Sequence, residues 1–385
     1  MFICIDLDTF FVSVERVLNP ELKDKPVVVG GLPGERGVVA CASYEARQFG
    51  IRSGMPVSRA YKLCPDAIFL RPGFSSYELF SKRFEQILNK YSPEVAMVSI
   101  DEAFVDVKGT ERLFGPPLSL AQQIKKDINE TLNLPCSIGI ARTKPIAKIA
   151  CDASKPDGLL FINPDNEKDF LFPLSVAVLP GIGPKAYEIL KNLNIITVAQ
   201  FFNTPDWILD TALGRNGRTI KYFVNGGDYK ILRSVKSMGH EITLTEDTKN
   251  LALVTGVFYN LIEYVCQRLR ENVVNARICT IKIRFSDFKT ITRRVNLVMA
   301  TNSQQEIYEF CMPTLMEMLK ENKRVRLIGI SFSKFELSGL QPSIFSKEEN
   351  RLIRLNYALD TVRTKFGFSS VLPAKVLHFY KSQTA

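Results

Sequence analysis

The stretch V-S-I-D-E-A-F-V-D-V, from Val98 to Val107, sets Asp101 and Glu102 side by side within an apolar, β-prone run. If E-V-A-M-V-S-I and A-F-V-D-V form two antiparallel strands, the acids lie at the tight turn between them, where side chains need not alternate across a sheet face. Both carboxylates can then aim at one spot. The opening F-I-C-I-D-L-D reads as another short strand ending in acids, Asp6 and Asp8, and strand ends remote in sequence commonly meet in one sheet. Carboxylates gathered in this way repel one another and rise in pKa unless a cation sits among them. A divalent ion removes the conflict, and two such ions about 3.5 to 4 Å apart are the arrangement used for in-line phosphoryl transfer. Acids at hairpin turns are also common as solvated groups, so the pair by itself leaves both readings open.

Basic and aromatic groups stand close by in the chain. In Y-E-A-R-Q-F-G-I-R-S-G-M-P, helical spacing places Tyr44 and Arg47 on one face, a hydroxyl and a guanidinium fork suited to phosphate oxygens. Lys155, in A-S-K-P-D-G, adds a point charge. Phe10 and Phe11 follow the first acidic strand; adjacent helical residues point about 100° apart, so one is buried and the other is free to face a ligand. Further on, L-P-G-I-G-P-K-A-Y-E-I-L (Leu179 to Leu190) has Gly181 and Gly183 ahead of a helix, a spacing that lets backbone N–H groups approach a phosphate. This is the pattern of a helix-hairpin-helix, which holds nucleic-acid backbone and not bases. L-G-R-N-G-R, Leu213 to Arg218, is a weaker second copy.

These residues must be held by elements that the rest of the chain supplies. At 385 residues it is too long for a single core and implies two to four domains. Hydrophobic residues at 46% and charged residues at 23% describe a folded chain. Strand-like runs at Pro26 to Gly31 and Gly37 to Ala42, and helices at Ser76 to Tyr91 and Leu118 to Leu132, alternate to about residue 165. The pattern is then helical from Phe170 to Asn225, a polar linker is expected from Lys230 to Thr243, and strands such as Cys279 to Phe285 alternate with helices to about residue 337.

Net charge is +1 over residues 1–230, +5 over 231–340 and +4 over 341–385, so the later part of the chain suits a polyanion. With two histidines, a three-histidine metal site is excluded, and eight scattered cysteines read as reduced core thiols. No apolar run spans a bilayer and no signal peptide is present, so the protein is expected in the cytoplasm, without a membrane.

Together these segments resemble a Y-family DNA polymerase of the DinB or DNA polymerase IV type. The resemblance runs from Met1 to about Glu336 through I-D-L-D-T-F-F-V-S-V-E, Y-E-A-R-Q-F-G-I, S-I-D-E-A-F-V-D-V, S-I-G-I-A-R-T-K-P-I-A-K-I-A-C-D-A-S-K-P-D-G, L-P-G-I-G and K-S-M-G-H-E, in family order. It implies an α+β multidomain right-hand polymerase. A ferredoxin-like palm would take residues 1–9 and 74–165, small fingers 10–73, a helical thumb 166–229, a linker 230–240, a β-α-β-β-α-β little finger 241–337, and a C-terminal tail 338–385.

The resemblance implies that Asp6, Asp101 and Glu102, with the backbone carbonyl of Leu7, hold two Mg2+ ions. Phe10, Phe11, Tyr44, Arg47 and Lys155 would bind the nucleotide, with Phe11 as the steric gate that collides with a ribose 2′-hydroxyl. Primer–template DNA would lie against Gly181, Gly183, Lys185, Lys236, Ser237, Lys282, Arg284, Arg293, Arg294 and Lys334. The implied activity is template-directed addition of deoxynucleotides to a primer 3′-hydroxyl by a monomer, error-prone, past damaged bases and without proofreading. Cys41 departs from a threonine common in relatives near the triphosphate, and a thiol is a weak donor. In the tail, Gln341, Ile344 and Phe345 of L-Q-P-S-I-F-S are similar to a peptide that docks on the bacterial sliding clamp. The following L-N-Y-A-L-D-T-V-R-T-K-F-G is helix-like and is expected either to be partly disordered or to fold back.

Two rivals fit parts of this pattern. A DNA-binding adaptor that has lost catalysis would have no reason to keep the acid set. A nucleotidyl cyclase would not need the helical DNA motif or the basic C-terminal part.

Overall fold

The computed structural model describes residues 1–227, 235–338 and 347–376, which fall into two compact units, Met1–Leu232 and Arg233–Ala385. The first begins with β1 (Phe2–Leu7), buried on both sides: Ile3, Ile5 and Leu7 enter one core and Cys4 another. Thr9, at φ 44°, turns the chain into α1 (Phe10–Leu18). β2 (Val27–Gly30), β3 (Val39–Ala42), α2 (Tyr44–Gln48), α3 (Val57–Leu63) and β4 (Ile68–Leu70) then build a small sheet of order β3-β2-β4. α2 starts at Tyr44 because the buried Ser43 hydroxyl accepts from the Ala46 N–H at 3.1 Å, an N-cap.

α4 (Phe74–Leu88) leads to β5 (Val95–Met97) and β6 (Glu102–Asp106), which pair antiparallel as the sequence predicts. α5 (Glu111–Phe114) and α6 (Pro117–Leu132) precede β7 (Cys136–Ala141), α7 (Lys144–Ala153) and β8 (Leu159–Phe161). The five strands form one sheet of order β5-β6-β1-β7-β8, with β1 antiparallel to both β6 and β7. Over its first four strands in chain order this is the ferredoxin-like arrangement. The apolar stripes of α4 and α6 cover one face, Tyr77, Phe84, Leu120, Ile124 and Ile128 meeting Ile3, Ile5 and Ile138. On the other face α7 brings Ile146, Ala147, Ala150 and Cys151 against Cys4 and Phe104.

α7 lies unusually close to β7. A Cβ at Gly139 would sit 2.1 Å from the Ala147 carbonyl oxygen and 2.2 Å from the Cys151 nitrogen, so only glycine permits this approach. Beyond β8 the chain is helical, as expected: α8 (Glu167–Leu171), α9 (Pro184–Asn192), α10 (Val198–Asn203), α11 (Asp206–Leu213) and α12 (Arg215–Val224).

The second unit runs β9 (Ser237–Thr248), α13 (Leu251–Glu271), β10 (Val274–Phe285), β11 (Thr290–Thr301), α14 (Gln304–Met318), β12 (Val325–Leu337) and α15 (Lys347–Phe366). The β-α-β-β-α-β order is the one expected, in an antiparallel sheet of order β11-β10-β12-β9. The stretch from 237 to 243, expected as linker, is strand: Ser237 pairs with Ser333 and His240 with Ile330. β9 is an edge strand with Met238 buried and Gly239 and His240 exposed, so its order comes from β12 and not from a local apolar pattern.

α13 and α14 cover one face of this sheet. α15 folds back onto α13: Arg363 donates to Glu263 at 3.2 Å, both almost wholly buried, and Arg270 grips Asp360 with two bonds of 2.6 and 2.8 Å. Gln304 of α14 donates to Asn356 at 2.7 Å, and Val376 enters the core of the unit. All eight cysteines are free and buried, as expected. No helix among the described residues is long and apolar enough to cross a membrane.

Gly139→Ala is expected to force α7 off β7 and to destabilise the protein by roughly 1–3 kcal/mol. Calorimetric unfolding of the full chain checks this; an unchanged transition would mean that the helix can slide at no cost.

Candidate active site

β1 and β6 pair so that Asp6 stands directly opposite Glu102, and the Leu7 N–H donates to the Asp101 carbonyl at 2.9 Å. Two acids from chain segments almost a hundred residues apart therefore share one end of the sheet, with Asp101 in the turn beside them. Like charges directly across a strand pair destabilise it unless they are compensated. Compensation comes from α7 and the loop after it: Lys148 Nζ lies 3.0 Å from Asp6 Oδ2 and 2.8 Å from Glu102 Oε2, and Lys155 Nζ lies 2.8 Å from Asp6 Oδ1. Burial works against the charge on Lys148, but the surrounding carboxylates hold it well above an ordinary lysine; Asp6 does the same for Lys155. Burial lifts the Glu102 carboxyl above its usual value, with Lys148 opposing and Asp6 adding to the rise.

Asp6 and Asp101 face a cavity of about 210 Å³, whose lining also includes Phe10, Phe11, Tyr44, Arg47 and Lys155; Glu102 is not part of that lining. The wall thus draws on both sheets of the unit and on the loop after α7. Phe10 is 2% exposed and belongs to the core, while Phe11 is half-buried, its ring stacked on Tyr77 at a centroid distance of 4.4 Å. Of the two alternatives left open by spacing, Phe11 is the ring free to meet a ligand. Tyr44 donates to Asp8 at 3.3 Å, and burial together with that charge pushes its phenol up to about 12, so it is a neutral donor across physiological pH. The Arg47 guanidinium lies over the Tyr44 ring at 5.1 Å and donates through Nε to the Ala42 carbonyl, which leaves its fork for other acceptors. Cys41 lines the same cavity, and burial keeps its thiol protonated.

Among the described residues no group of three His, Cys, Asp or Glu side chains closes around a point that would hold an ion. The ammonium groups take up the charge of Asp6 and Glu102, and the Ser99 hydroxyl donates to Asp101. The acids still form an all-oxygen donor set at one end of the β1–β6 pair, which suits a hard divalent cation and not a soft one.

Of the groups expected to meet nucleic acid, Gly181 has φ 100° and Gly183 caps α9, whose first turn carries the exposed Lys185. A side chain on Gly181 would press on Ile220 of α12. The second glycine pattern is also a helix junction: Gly214, at φ 63°, joins α11 to α12. In the C-terminal unit Ile281, Ile283 and Phe285 of β10 are buried under the helices, so Lys282 and Arg284 project from the open face. Arg294 pairs with Thr280 and shares that face; Arg293 pairs with Ile281 and lies on the helix-covered side. Lys282 is bonded to Glu241 at 2.7 Å, and Arg284 to Thr290. Lys236 is exposed ahead of β9, Ser237 begins that strand, and Lys334 is exposed on β12 at φ 55°. Gln341, Ile344 and Phe345 lie outside the described residues.

Sequence reasoning passed over Lys148 and the buried Ser137. For Lys148 a signal existed: its i,i+4 spacing to Asp152 puts two charged groups on one face of α7, just ahead of the loop that carries Lys155.

Comparison with known proteins adds independent findings. The impB/mucB/samB family matches residues 5–152, and the C-terminal domain of the same family matches 235–344. The DNA polymerase IV of Dehalococcoides mccartyi is 40% identical over 371 residues, covering 95% of each chain. That of Clostridium perfringens is 38% identical over 352 residues, covering 90% of this chain and 96% of the other. Among solved structures, a Y-family DNA polymerase chimera of Dbh and Dpo4 superposes with a TM-score of 0.80 at 29% identity, covering 87% of this chain and 99% of that one. An insertion ternary complex of Dbh DNA polymerase gives 0.63 at 29% identity, with the same coverage.

Proposed function

The chain belongs to the impB/mucB/samB family and is a DinB-type Y-family polymerase, a DNA-directed DNA polymerase of the translesion class; on that premise we propose which of its residues carry the reaction. The observation that carries the assignment is that one cavity is lined together by Asp6, Asp101, Phe11, Tyr44, Arg47 and Lys155. Asp6, Asp101 and Glu102, with the Leu7 carbonyl, hold two Mg2+ ions. When bound, these ions supply activation of the primer 3′-hydroxyl and neutralisation of charge on the triphosphate. The register of Asp6 against Glu102 supports the assignment.

Tyr44, held beside the cavity by Asp8, turns its single O–H from that carboxylate to the triphosphate, Arg47 offers a planar fork, and Lys155 a mobile charge. Phe10 builds the cavity floor from the core side. Phe11, held by its stack on Tyr77, lies under the sugar and excludes a 2′-hydroxyl by contact. The protein's part is positioning and electrostatics, with no covalent step of its own.

In this reading residues 1–9 and 74–165 are palm, 10–73 fingers, 166–229 thumb and 241–337 little finger, the strand beginning at Ser237 extending the last of these. The glycine junctions at 181–183 and the exposed Lys185 meet DNA backbone. The open sheet face with Lys282, Arg284 and Arg294, flanked by Lys236, Ser237 and Lys334, does the same in the second unit; Arg293, expected beside them, projects to the helix-covered side and is not part of that face. Gln341, Ile344 and Phe345 dock on a sliding clamp. The enzyme works in the cytoplasm as a monomer.

Asp101→Ala and Glu102→Ala are each expected to abolish primer extension while DNA affinity stays within a few fold; extension by both variants at the parental rate would refute the acid assignment. Phe11→Ala is expected to lower the preference for deoxy- over ribonucleotides at least roughly tenfold, read from single-nucleotide incorporation, and an unchanged ratio would reject the gate. Replacing Gln341, Ile344 and Phe345 together by alanine should shorten products only when clamp is loaded on the template. Products from the variant as long as the parent's with clamp loaded would leave that peptide no docking role.

A further inference from the structure

Asp8 is the acid of the cavity wall that the reaction does not use. It is 1% exposed, deeper than Asp6, and both of its oxygens have hydrogen-bond partners. Oδ1 faces the Ser137 hydroxyl at 3.0 Å and the Tyr44 hydroxyl at 3.3 Å; Oδ2 faces Ser137 at 2.9 Å and the Asp157 backbone N–H at 2.7 Å. Ser137 has one proton to share between the two oxygens, so three donors in all hold the carboxylate and turn it toward the protein. That separates Asp8 from Asp6 two residues earlier.

The donors come from three places. Ser137 is on β7 of the main sheet, Tyr44 opens α2 beside the small sheet, and Asp157 lies in the loop that carries Lys155. The same loop is held from its outer side by Lys125, which donates to the Asp157 carbonyl at 2.8 Å and to its carboxylate at 2.6 Å. One buried charge therefore ties Tyr44 directly, and the loop carrying Lys155 through the Asp157 N–H, to Ser137 of the main sheet.

We propose that Asp8 is a positioning residue for the incoming nucleotide, setting Tyr44 and the Lys155 loop at the spacing a triphosphate requires. The proposal rests on the assignment of Tyr44 and Lys155 as triphosphate donors. Asp8→Asn preserves size and shape but turns one acceptor into a donor, which must then face the Asp157 N–H or the hydroxyls.

The test measures dNTP affinity of the full-length enzyme on a dideoxy-terminated primer–template with Mg2+. Asp8→Asn is expected to weaken dNTP binding about tenfold, the loss of one charge-assisted hydrogen bond, while affinity for primer–template alone moves less than about twofold. In a Tyr44→Phe, Lys155→Ala background the same substitution should cost less than about threefold, because the groups it positions are gone. An equal penalty in both backgrounds, or none in the first, overturns the proposal. If the Tyr44→Phe, Lys155→Ala enzyme binds dNTP like the parent, the triphosphate assignment itself falls and the proposal with it. Should Asp8→Asn fail to fold, Ser137→Ala, which removes the anchor of Asp8 on β7, is expected to give the same non-additive pattern more weakly; strict additivity there overturns the proposal as well.

Discussion

Electrostatic repulsion between acids at one end of a strand pair governs the N-terminal unit. Asp6 and Glu102 face each other across β1 and β6, where neither can be moved without shifting a whole strand by two residues. Balancing charge must come from another element, and α7 delivers it through Lys148 while the following loop delivers Lys155. A lysine reaches only a few ångströms, so α7 has to lie close against the sheet, and Gly139 is what lets it do so. Acid pair, helix and glycine form one arrangement, each part explicable only through the others.

Much of this could be read from the chain because the period of apolar residues is local. The helix at Pro117–Leu132 and the hairpin of β5 and β6 carry their own patterns, and the turn acids follow from the hairpin. What escaped was set by distant partners. β9 is ordered by β12 across the sheet, and nothing within S-M-G-H-E announces a strand. Lys148 is a surface-looking helical lysine until β1 and β6 are laid beneath it. Arg293 and Arg294 are a different case: neighbours in a strand point to opposite faces, so their separation followed from alternation once β11 was recognised. Spacing alone leaves Phe10 and Phe11 open; the family resemblance points to Phe11, and the burial of Phe10 in the core agrees with it.

The cavity wall proposed to meet the nucleotide carries groups of unlike chemistry. A phenol lifted to about 12 stays neutral and donates a single proton, a guanidinium offers a fixed fork, and an ammonium follows charge wherever it moves. Cys41, buried and protonated beside them, lines the same cavity as a weak donor, so under the proposed assignment the phosphates would be held by those three side chains.

The docked α15 changes what counts as the C-terminal unit. Glu263 on α13 is almost completely sealed from solvent, and Arg363 provides its counter-charge from a helix that follows β12. A carboxylate buried without its partner is far costlier than a pair buried together. A polypeptide cut after the last strand would inherit the acid without its mate, and the outer surface of α13 would be left with an ionic defect as well as bare apolar area. The natural border of this module, for anyone excising or grafting it, therefore falls beyond Val376 and not at the edge of the sheet.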